Sequence, residues 1–278
     1  MPQLSAFADE IAAELEEQIR VLGECGIRFL DLRGAWGKNV MELSDQELER
    51  VSTLLEEAGI GVAAVGSPIG KSTIDQPPSV ELGRLERAAC IAERLGARYI
   101  RVFSFYAPEG RSITEFHDQV FERIEGWLEE ISAHHSSLVL VHENESRIWG
   151  ETPERCLELL ERFHGPNFVG CYDFANFVHD GIQRPHKTAW PMLKRYIDFF
   201  HLKDWSASTG HAVPCGEGDG EVERILAEVA KTRFDGFMTM EPHLEHGGQF
   251  RGFSGPELFR TAVDAVRALA SRVGLALR

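Results

Sequence analysis

Four short apolar runs in the second half of the chain each end in an acidic or imidazole side chain. The runs are SLVLVHE, NFVGCYD, YIDFFH and FMTME, and their last residues are Glu143, Asp173, His201 and Glu241. The steps from 143 to 173, from 173 to 201 and from 201 to 241 are 30, 28 and 40 residues. Because a strand, its crossover helix and their loops take about 30 residues, this spacing predicts four consecutive βα units.

The same alternation of strand and helix extends over the whole chain. The predicted strands cover residues 4–8, 28–33, 61–66, 98–104, 137–143, 167–173, 196–202 and 235–241. The predicted helices cover residues 10–23, 44–58, 79–95, 112–134, 153–163, 187–195, 221–231 and 255–272. The strands are nearly continuously apolar, as is typical of parallel strands covered on both faces.

Eight such alternations predict a single (β/α)8 TIM barrel domain over residues 1–278, since these barrels usually have about 250 residues. An open, doubly wound sheet is the alternative architecture. It does not bring four consecutive strand ends to one point, whereas a closed barrel does.

Local signals mark the ends of the helices. Gly26, Gly59 and Gly96 each follow a helical pattern and precede an apolar strand, where a left-handed glycine is expected. Thr152-Pro153 predicts an N-cap followed by a proline at the first helical position. The Ser–Glu pairs with capping-box spacing are Ser44 with Glu47, Ser112 with Glu115 and Ser254 with Glu257.

Charge and composition narrow the class of protein. The chain has 44 acidic residues against 29 Lys and Arg, a net charge of −15, which disfavours a nucleic-acid partner. No apolar stretch approaches the roughly 20 residues of a membrane helix, and the acidic N-terminus does not resemble a signal peptide. The five cysteines are widely spaced and never form a C-x-x-C pattern. We therefore expect reduced thiols, a cytoplasmic location and no membrane partner.

The residues that end the four apolar runs have the chemistry of a divalent-metal site. In a closed barrel the C-terminal ends of the strands meet around one axis, so these side chains are expected to converge. A carboxylate at the mouth of an apolar barrel is costly to desolvate unless a cation compensates it. Three carboxylates and one imidazole suit hard cations, so Mn2+ or Mg2+ is expected ahead of Zn2+, with Co2+ also open.

Motifs at successive strand ends carry a resemblance to a known family. They are LSAFADEI, DLRGAWGKNV, GSPIGK, HEN, YDFANF, HLKD, PCGEGDGEV and MEPH. Over its full length the chain resembles the xylose-isomerase-like barrel superfamily, in particular its sugar phosphate isomerase/epimerase branch. The resemblance implies that Glu143, Asp173, His201 and Glu241 hold one divalent metal ion. It also implies that Glu143 and Glu241 act as acid and base on opposite faces of a sugar. At Glu145 the chain departs from the best-studied epimerases, which often have His there.

Four further side chains are candidates for substrate binding. Asn176 lies three residues after Asp173, where many relatives have His, and is expected either to contact a substrate hydroxyl or to serve in a turn. Lys203 lies two residues after the strand-7 histidine and is expected either to meet a substrate oxygen or to pair with Asp204. Arg33 and Lys71 follow the second and third predicted strands, where they would meet a phosphate or carboxylate or be surface charges.

The resemblance implies a divalent-metal-dependent isomerase or epimerase that acts on a small polyol, ketose or sugar phosphate. Chelation of a carbonyl and its adjacent hydroxyl makes the neighbouring C–H acidic, and a carboxylate about 3 Å away takes the proton to give an enediolate. If the same carboxylate returns the proton to the neighbouring carbon, the sugar is isomerised. If a second carboxylate delivers a proton to the other face, the sugar is epimerised. An inosose-type dehydratase, which loses a β-hydroxyl at the same site, is the alternative.

Two other classes of protein fit the sequence less well. An endonuclease acting at abasic DNA sites would need further histidines after strands 2 to 4 and a D-x-x-H on strand 6, and DLRG, AVGS, RVFS and DFAN contain none. A non-catalytic sugar-binding barrel is disfavoured because all four site positions and both candidate bases are present. We therefore expect a small-molecule substrate, while a homo-oligomer remains open.

Overall fold

A computed structural model describes residues 1–245 and 253–278. It contains eight parallel strands in one nearly closed barrel, with the main helices packed around the outside. The barrel strands β1 to β8 are, in chain order, Gln3–Ala6, Phe29–Leu32, Gly61–Ile69, Tyr99–Val102, Val139–Glu143, Phe168–Asp173, Ile197–Leu202 and Phe237–Met240. The (β/α)8 TIM barrel predicted from the sequence is confirmed.

The backbone pairing shows how the sheet closes. The strands are joined in the order β1-β8-β7-β6-β5-β4-β3-β2. The first strand pairs with the last, with Gln3 opposite Phe237 and Ala6 opposite Met240, so the sheet curls round to its own start. In the described part of the chain β1 and β2 are neighbours without a hydrogen-bonded ladder between them. The barrel is therefore complete except for this one seam.

Most predicted helices are present within a few residues of their expected bounds. The α-helices are Leu15–Glu24, Asp45–Ala58, Pro78–Leu95, His117–His134, Pro153–Phe163, Phe174–His179, Pro185–Thr188, Trp190–Leu193, Val222–Val229 and Gly255–Val273. The helix expected at 10–23 begins only at Leu15, because a separate 3-10 turn over Ala8–Glu10 precedes it. This turn contributes charged side chains to the mouth of the barrel.

Two helical segments differ from the prediction. The helix expected at 187–195 is two four-residue helices, Pro185–Thr188 and Trp190–Leu193. Pro191 cannot donate the backbone hydrogen bond that would continue the first helix into the second. The short helix Phe174–His179, directly after β6, was not predicted.

The predicted helix ends are confirmed at all positions except one. The confirmed positions are Gly26, Gly59 and Gly96 with left-handed φ, the capping boxes at Ser44 and Ser112, and the N-cap at Thr152. The prediction for Ser254 was wrong, because its side chain does not cap the last helix. Its hydroxyl instead donates to Glu10 Oε2 at 3.0 Å, because a buried carboxylate without a partner is costly.

Apolar side chains fill the barrel interior beneath the strand ends. Val139 and Val141 share an interior face with Glu143, because successive side chains of a strand alternate between its two sides. The buried cluster consists of Ala64, Val139, Val141, Val169, Cys171 and Phe199. The polar side chains at the C-terminal ends of these strands therefore lie above an apolar cluster.

Two observations bear on the environment of the protein. All five cysteines are free thiols, as their spacing predicted. Within residues 1–245 and 253–278, no helix combines the length and the apolar character needed to cross a membrane. The assignment of residues 1–278 to one domain and the cytoplasmic location stay predictions.

A close backbone approach at Gly70 gives a test of the fold. Gly70 has a φ of +82°, and a Cβ at this position would overlap the carbonyl oxygen of Phe103. We expect Gly70→Ala to lower the free energy of unfolding by roughly 3 kcal/mol or more, because backbone atoms must move. Gly110 has a similar φ of +75° with open space around it, so Gly110→Ala should cost only about 1 kcal/mol. Urea unfolding measures both, and equal losses would contradict the close approach.

Candidate metal centre and active site

The four residues that end the apolar runs meet at the C-terminal mouth of the barrel. Glu143 and Asp173 are the last residues of β5 and β6, His201 lies one residue before the end of β7, and Glu241 directly follows β8. Their exposed fractions are 2%, 0%, 1% and 3%. One ligand atom from each lies within 4.8 Å of those of the other three. The structure thus brings together all four residues that the sequence predicted as a set.

Contacts inside this cluster fit a bound cation. Nδ1 of His201 lies 3.0 Å from Glu143 Oε1 and 3.2 Å from Glu241 Oε2. Asp173 Oδ2, His201 Nδ1 and Glu241 Oε2 are all buried and make no hydrogen bond of good geometry among the described residues. Buried polar atoms normally have such partners, so three converging atoms without them could together hold a metal ion. Three oxygen donors and one nitrogen donor are the set that hard divalent metals accept.

The electrostatics of the cluster keep both glutamates charged. Burial opposes ionisation of Glu143, but the charges of His201 and Arg101 outweigh it and hold its pKa at about 2. Burial likewise opposes ionisation of Glu241, and Lys203 together with His201 holds its pKa well below the usual range. Both carboxylates are therefore ionised at neutral pH.

The other two members of the cluster have raised pKa values. Burial raises the pKa of Asp173 to about 6, although the charge of Lys203 works against the shift. Burial disfavours the charged form of His201, but Cys171 and Glu143 reverse this effect and raise its pKa well above the usual range. In the metal-free protein the His201 imidazolium therefore supplies part of the positive charge that the carboxylates need.

Each candidate base is held by its own arginine. Arg33 Nη1 lies 3.0 Å from Glu241 Oε1, and Arg101 Nη1 lies 3.2 Å from Glu143 Oε2. Arg33 was predicted as a substrate-binding residue or a surface charge, but it is buried and also donates from Nε to Asp9 at 2.8 Å. Sequence reasoning missed Arg101. The only signal was a charged residue inside the apolar strand YIRV.

Asn176 lies against Glu143, in the short helix that follows β6. Its backbone N–H donates to Asp173 Oδ1 at 2.8 Å, so the aspartate caps this helix. Its side-chain amide donates to the Asn144 carbonyl at 2.9 Å and to Glu143 Oε1 at 3.4 Å. The amide therefore faces the cluster, and its contact with a substrate hydroxyl stays a prediction.

The two candidate lysines lie at different depths. Lys203 is buried, with Nζ 2.9 Å from Asp173 Oδ2 and 3.6 Å from Glu241 Oε2. It does not pair with Asp204, whose carboxylate accepts the backbone N–H groups of a glycine-rich loop, those of Gly216, Gly218 and Gly220. Lys71 lies at the rim of the cavity, and its Nζ is 2.6 Å from Glu145 Oε2. The alternative salt bridge proposed for Lys203 was therefore wrong in its partner.

A second charged group, missed at the sequence level, lies beside Glu241. His243 Nε2 is 3.0 Å from Glu10 Oε1 and 3.4 Å from Glu241 Oε1. Burial disfavours the charged imidazole, but the charge of Glu10 overcomes it and raises the pKa of His243 to about 9. Arg33 Nη2 also approaches Glu10, at 3.9 Å. This group shares Glu241 with the four-residue cluster and offers only two carboxylates, so we describe it as an ion-pair network beside that cluster.

A cavity of about 580 Å³ opens above the cluster. Its wall includes Glu143, Glu241, Asn176, Lys203, Lys71 and Arg33. This volume is in the usual range of small-molecule sites. Both candidate bases and all four candidate substrate ligands therefore face the same space.

The fold and the site together define a TIM barrel with a carboxylate and imidazole centre at the C-terminal ends of its strands. Residues 19–269 match the family model described as the xylose isomerase-like TIM barrel. The chain therefore belongs to the xylose isomerase-like TIM barrel family. No curated protein sequence matches it.

Solved structures with this fold span nearly the whole chain. A D-tagatose 3-epimerase-like protein has a TM-score of 0.77 at 15% identity, over 98% of this chain and 98% of its own. The probable 3-DHS dehydratase AsbF of Bacillus anthracis has a TM-score of 0.74 at 17% identity, over 96% and 99%. A xylose isomerase-like TIM barrel protein from Mycobacterium smegmatis, solved in complex with magnesium, has a TM-score of 0.73 at 16% identity, over 98% and 97%. At these identities the similarity shows the fold.

Removal of one carboxylate tests the metal site. We expect Asp173→Asn to weaken Mn2+ binding by more than about tenfold, because a neutral amide is a poorer ligand than a carboxylate. The asparagine oxygen can still accept the N–H of Asn176, so the short helix keeps its cap. Calorimetric titration of Mn2+ into the metal-free protein measures the change.

The matched control is Asp198→Asn. Asp198 is exposed near the other end of the strand that carries His201, so its loss makes the same charge change away from the cluster. It should leave the Mn2+ affinity within about threefold, since exposed distant charges are screened. Unchanged Mn2+ affinity in Asp173→Asn would remove Asp173 from the proposed ligand set.

Proposed function

We propose that the chain is a divalent-metal-dependent enzyme that isomerises or epimerises a small sugar, ketose or sugar phosphate through an enediolate. One observation carries the proposal: two buried carboxylates, Glu143 and Glu241, lie on either side of one point. Both approach the same nitrogen of His201, at 3.0 and 3.2 Å. They extend from β5 and from the end of β8, with two strands between them, so a substrate can lie between the two carboxylates.

The proposed metal ligands are Glu143, Asp173, His201 and Glu241. Their oxygen-rich donor set favours Mn2+ or Mg2+ ahead of Zn2+, and Co2+ also fits. When bound, the ion would polarise a substrate carbonyl and stabilise the negative charge that develops on its oxygen. The magnesium in the Mycobacterium smegmatis structure supports a hard cation in a barrel of this family.

Glu143 is the proposed base on one face of the substrate. Arg101 and Asn176 contact its carboxylate at 3.2 and 3.4 Å, which fixes its orientation. Its pKa of about 2 keeps the carboxylate ionised at neutral pH, which is the protonation state a base requires. A carboxylate that takes a proton from one carbon and returns it to the neighbouring carbon interconverts an aldose and a ketose.

Glu241 is the proposed acid or base on the opposite face. Arg33 and Lys203 contact it from two sides, at 3.0 and 3.6 Å. If Glu143 removes a proton from one face and Glu241 supplies a proton to the other, the carbon is inverted and the reaction is an epimerisation. The similarity to a D-tagatose 3-epimerase-like protein supports this outcome.

A dehydratase is the second candidate, and Lys203 is the observation that favours it. Burial disfavours its charged form, but the charges of Asp173 and Glu241 raise its pKa well above the usual range, so a buried ammonium faces the cavity. Loss of a β-hydroxyl after proton abstraction needs a positive group or proton donor close to the leaving oxygen. The similarity to the probable 3-DHS dehydratase supports this alternative.

Exchange of a substrate proton tests the assigned bases. We expect Glu143→Gln and Glu241→Gln each to slow the exchange of substrate α-protons with D2O by at least about a hundredfold, because an amide cannot act as base. The substrate comes from an NMR screen of ketoses, inososes and their phosphates with Mg2+ present. The same spectra separate the two candidates, since a dehydratase product has lost water.

Glu57→Gln is the control for charge, because Glu57 is exposed on the outer helix Asp45–Ala58. It should exchange protons at the rate of the unaltered protein. Exchange at the unaltered rate in Glu143→Gln or Glu241→Gln would refute the role of that residue. A chain that binds the sugars but exchanges none of their protons is a binding protein and not an enzyme.

A further inference from the structure

The wall of the cavity carries five lysine and arginine side chains, although the whole chain has a net charge of −15. Four of the five already lie at ion-pair distance from a carboxylate. These pairs are Arg33 with Glu241 at 3.0 Å, Lys71 with Glu145 at 2.6 Å, Arg101 with Glu143 at 3.2 Å and Lys203 with Asp173 at 2.9 Å. Lys71, a predicted anion ligand, is therefore already neutralised.

Arg147 is the fifth cation, and its contact is of another kind. Within residues 1–245 and 253–278, no carboxylate lies at ion-pair distance from its guanidinium. That group instead lies over the ring of Tyr106, with Cζ 5.5 Å from the ring centre. Tyr106 also lines the cavity, and backbone bridges to Thr73 and Ile148 hold it in place. Arg147 is thus a charge on the cavity wall that no acid of the described chain compensates.

The backbone at Arg147 has an uncommon conformation, and the residues on both sides of it are held in place. Its φ is +65°, a left-handed value that is uncommon for residues other than glycine. On one side, the Ser146 hydroxyl donates to Asp180 at 2.5 Å. On the other side, Ile148 is fully buried and bridges Tyr106. Strained residues between well-anchored neighbours are concentrated at functional sites.

We propose that Arg147 binds an anionic group of the substrate, a carboxylate or a phosphate, and so selects acidic or phosphorylated sugars over neutral ones. A cation that is already paired gains little from a second anion, whereas Arg147 would form its first ion pair. A guanidinium also matches the two oxygens of either group with parallel N–H donors.

This inference rests on the proposed function, because that function makes the cavity a sugar site. The two proposals can be tested separately, because Arg147 can bind an anion without any proton transfer taking place. A measurement of binding without turnover therefore separates the two proposals.

The test compares three four-carbon ligands that differ at one end: erythritol, D-erythronate and D-erythritol 4-phosphate. None has a ketone or aldehyde, so calorimetry with the Mg2+-loaded protein reports binding alone. We expect at least one charged ligand to bind more than about tenfold tighter than erythritol, a difference of about 1.4 kcal/mol. The tighter of the two charged ligands identifies a carboxylate or a phosphate site. Arg147→Gln should abolish the preference, while Arg147→Lys should keep part of it.

Arg28→Gln is the matched control. Arg28 is exposed and directly precedes β2, at the opposite end of the barrel, so its loss makes the same charge change away from the cavity. This variant should keep the full preference. The proposal is overturned if the preference survives in Arg147→Gln, which is the result that direct chelation of the metal by erythronate would give. It is also overturned if the unaltered protein binds all three ligands equally. Absence of proton exchange would bear only on the proposed function.

Discussion

The site depends on one constraint: three carboxylates are buried at one end of the barrel and need positive charge to compensate them. Glu143, Asp173 and Glu241 are almost completely removed from water, and a buried carboxylate without a partner costs several kcal/mol. The compensating groups of the chain are Arg33, Arg101, His201 and Lys203. Even so, three atoms that face the common centre lack a good hydrogen bond. A divalent ion would supply what these atoms lack, and it would replace the proton on His201 because a metal ligand must be neutral imidazole.

The same constraint organises the proposed chemistry. Arginines beside each candidate base keep both carboxylates ionised and limit their movement, which is the preorganisation that proton transfer needs. Buried apolar residues such as Val141 and Phe199 lie below the site, and in such surroundings these charges interact more strongly than they would in solvent. Arg147 lies outside this balanced group, at the cavity rim, where an uncompensated charge is available to an incoming anion.

The sequence predicted the elements that repeat along the chain, and it missed contacts between distant strands. The convergence of Glu143, Asp173, His201 and Glu241 was predictable because parallel strands end at one level, as the register of Asp173 opposite His201 shows. Arg101 was missed because its partner Glu143 is 42 residues away, and neither the strand pattern nor the spacing indicates such a pair. Arg147 was missed because only the folded loop reveals its left-handed backbone. Ser254 was misassigned because the competing partner, Glu10, lies 244 residues away.

Anomalous diffraction from crystals soaked in Mn2+ would locate an ion bound by these four residues. We expect one strong peak about 2.0 to 2.3 Å from an oxygen of each of Glu143, Asp173 and Glu241 and from Nδ1 of His201. Crystals of the fully loaded protein with no peak at this position would contradict the account. A peak between Glu10 and His243 instead would equally contradict the proposed ligands.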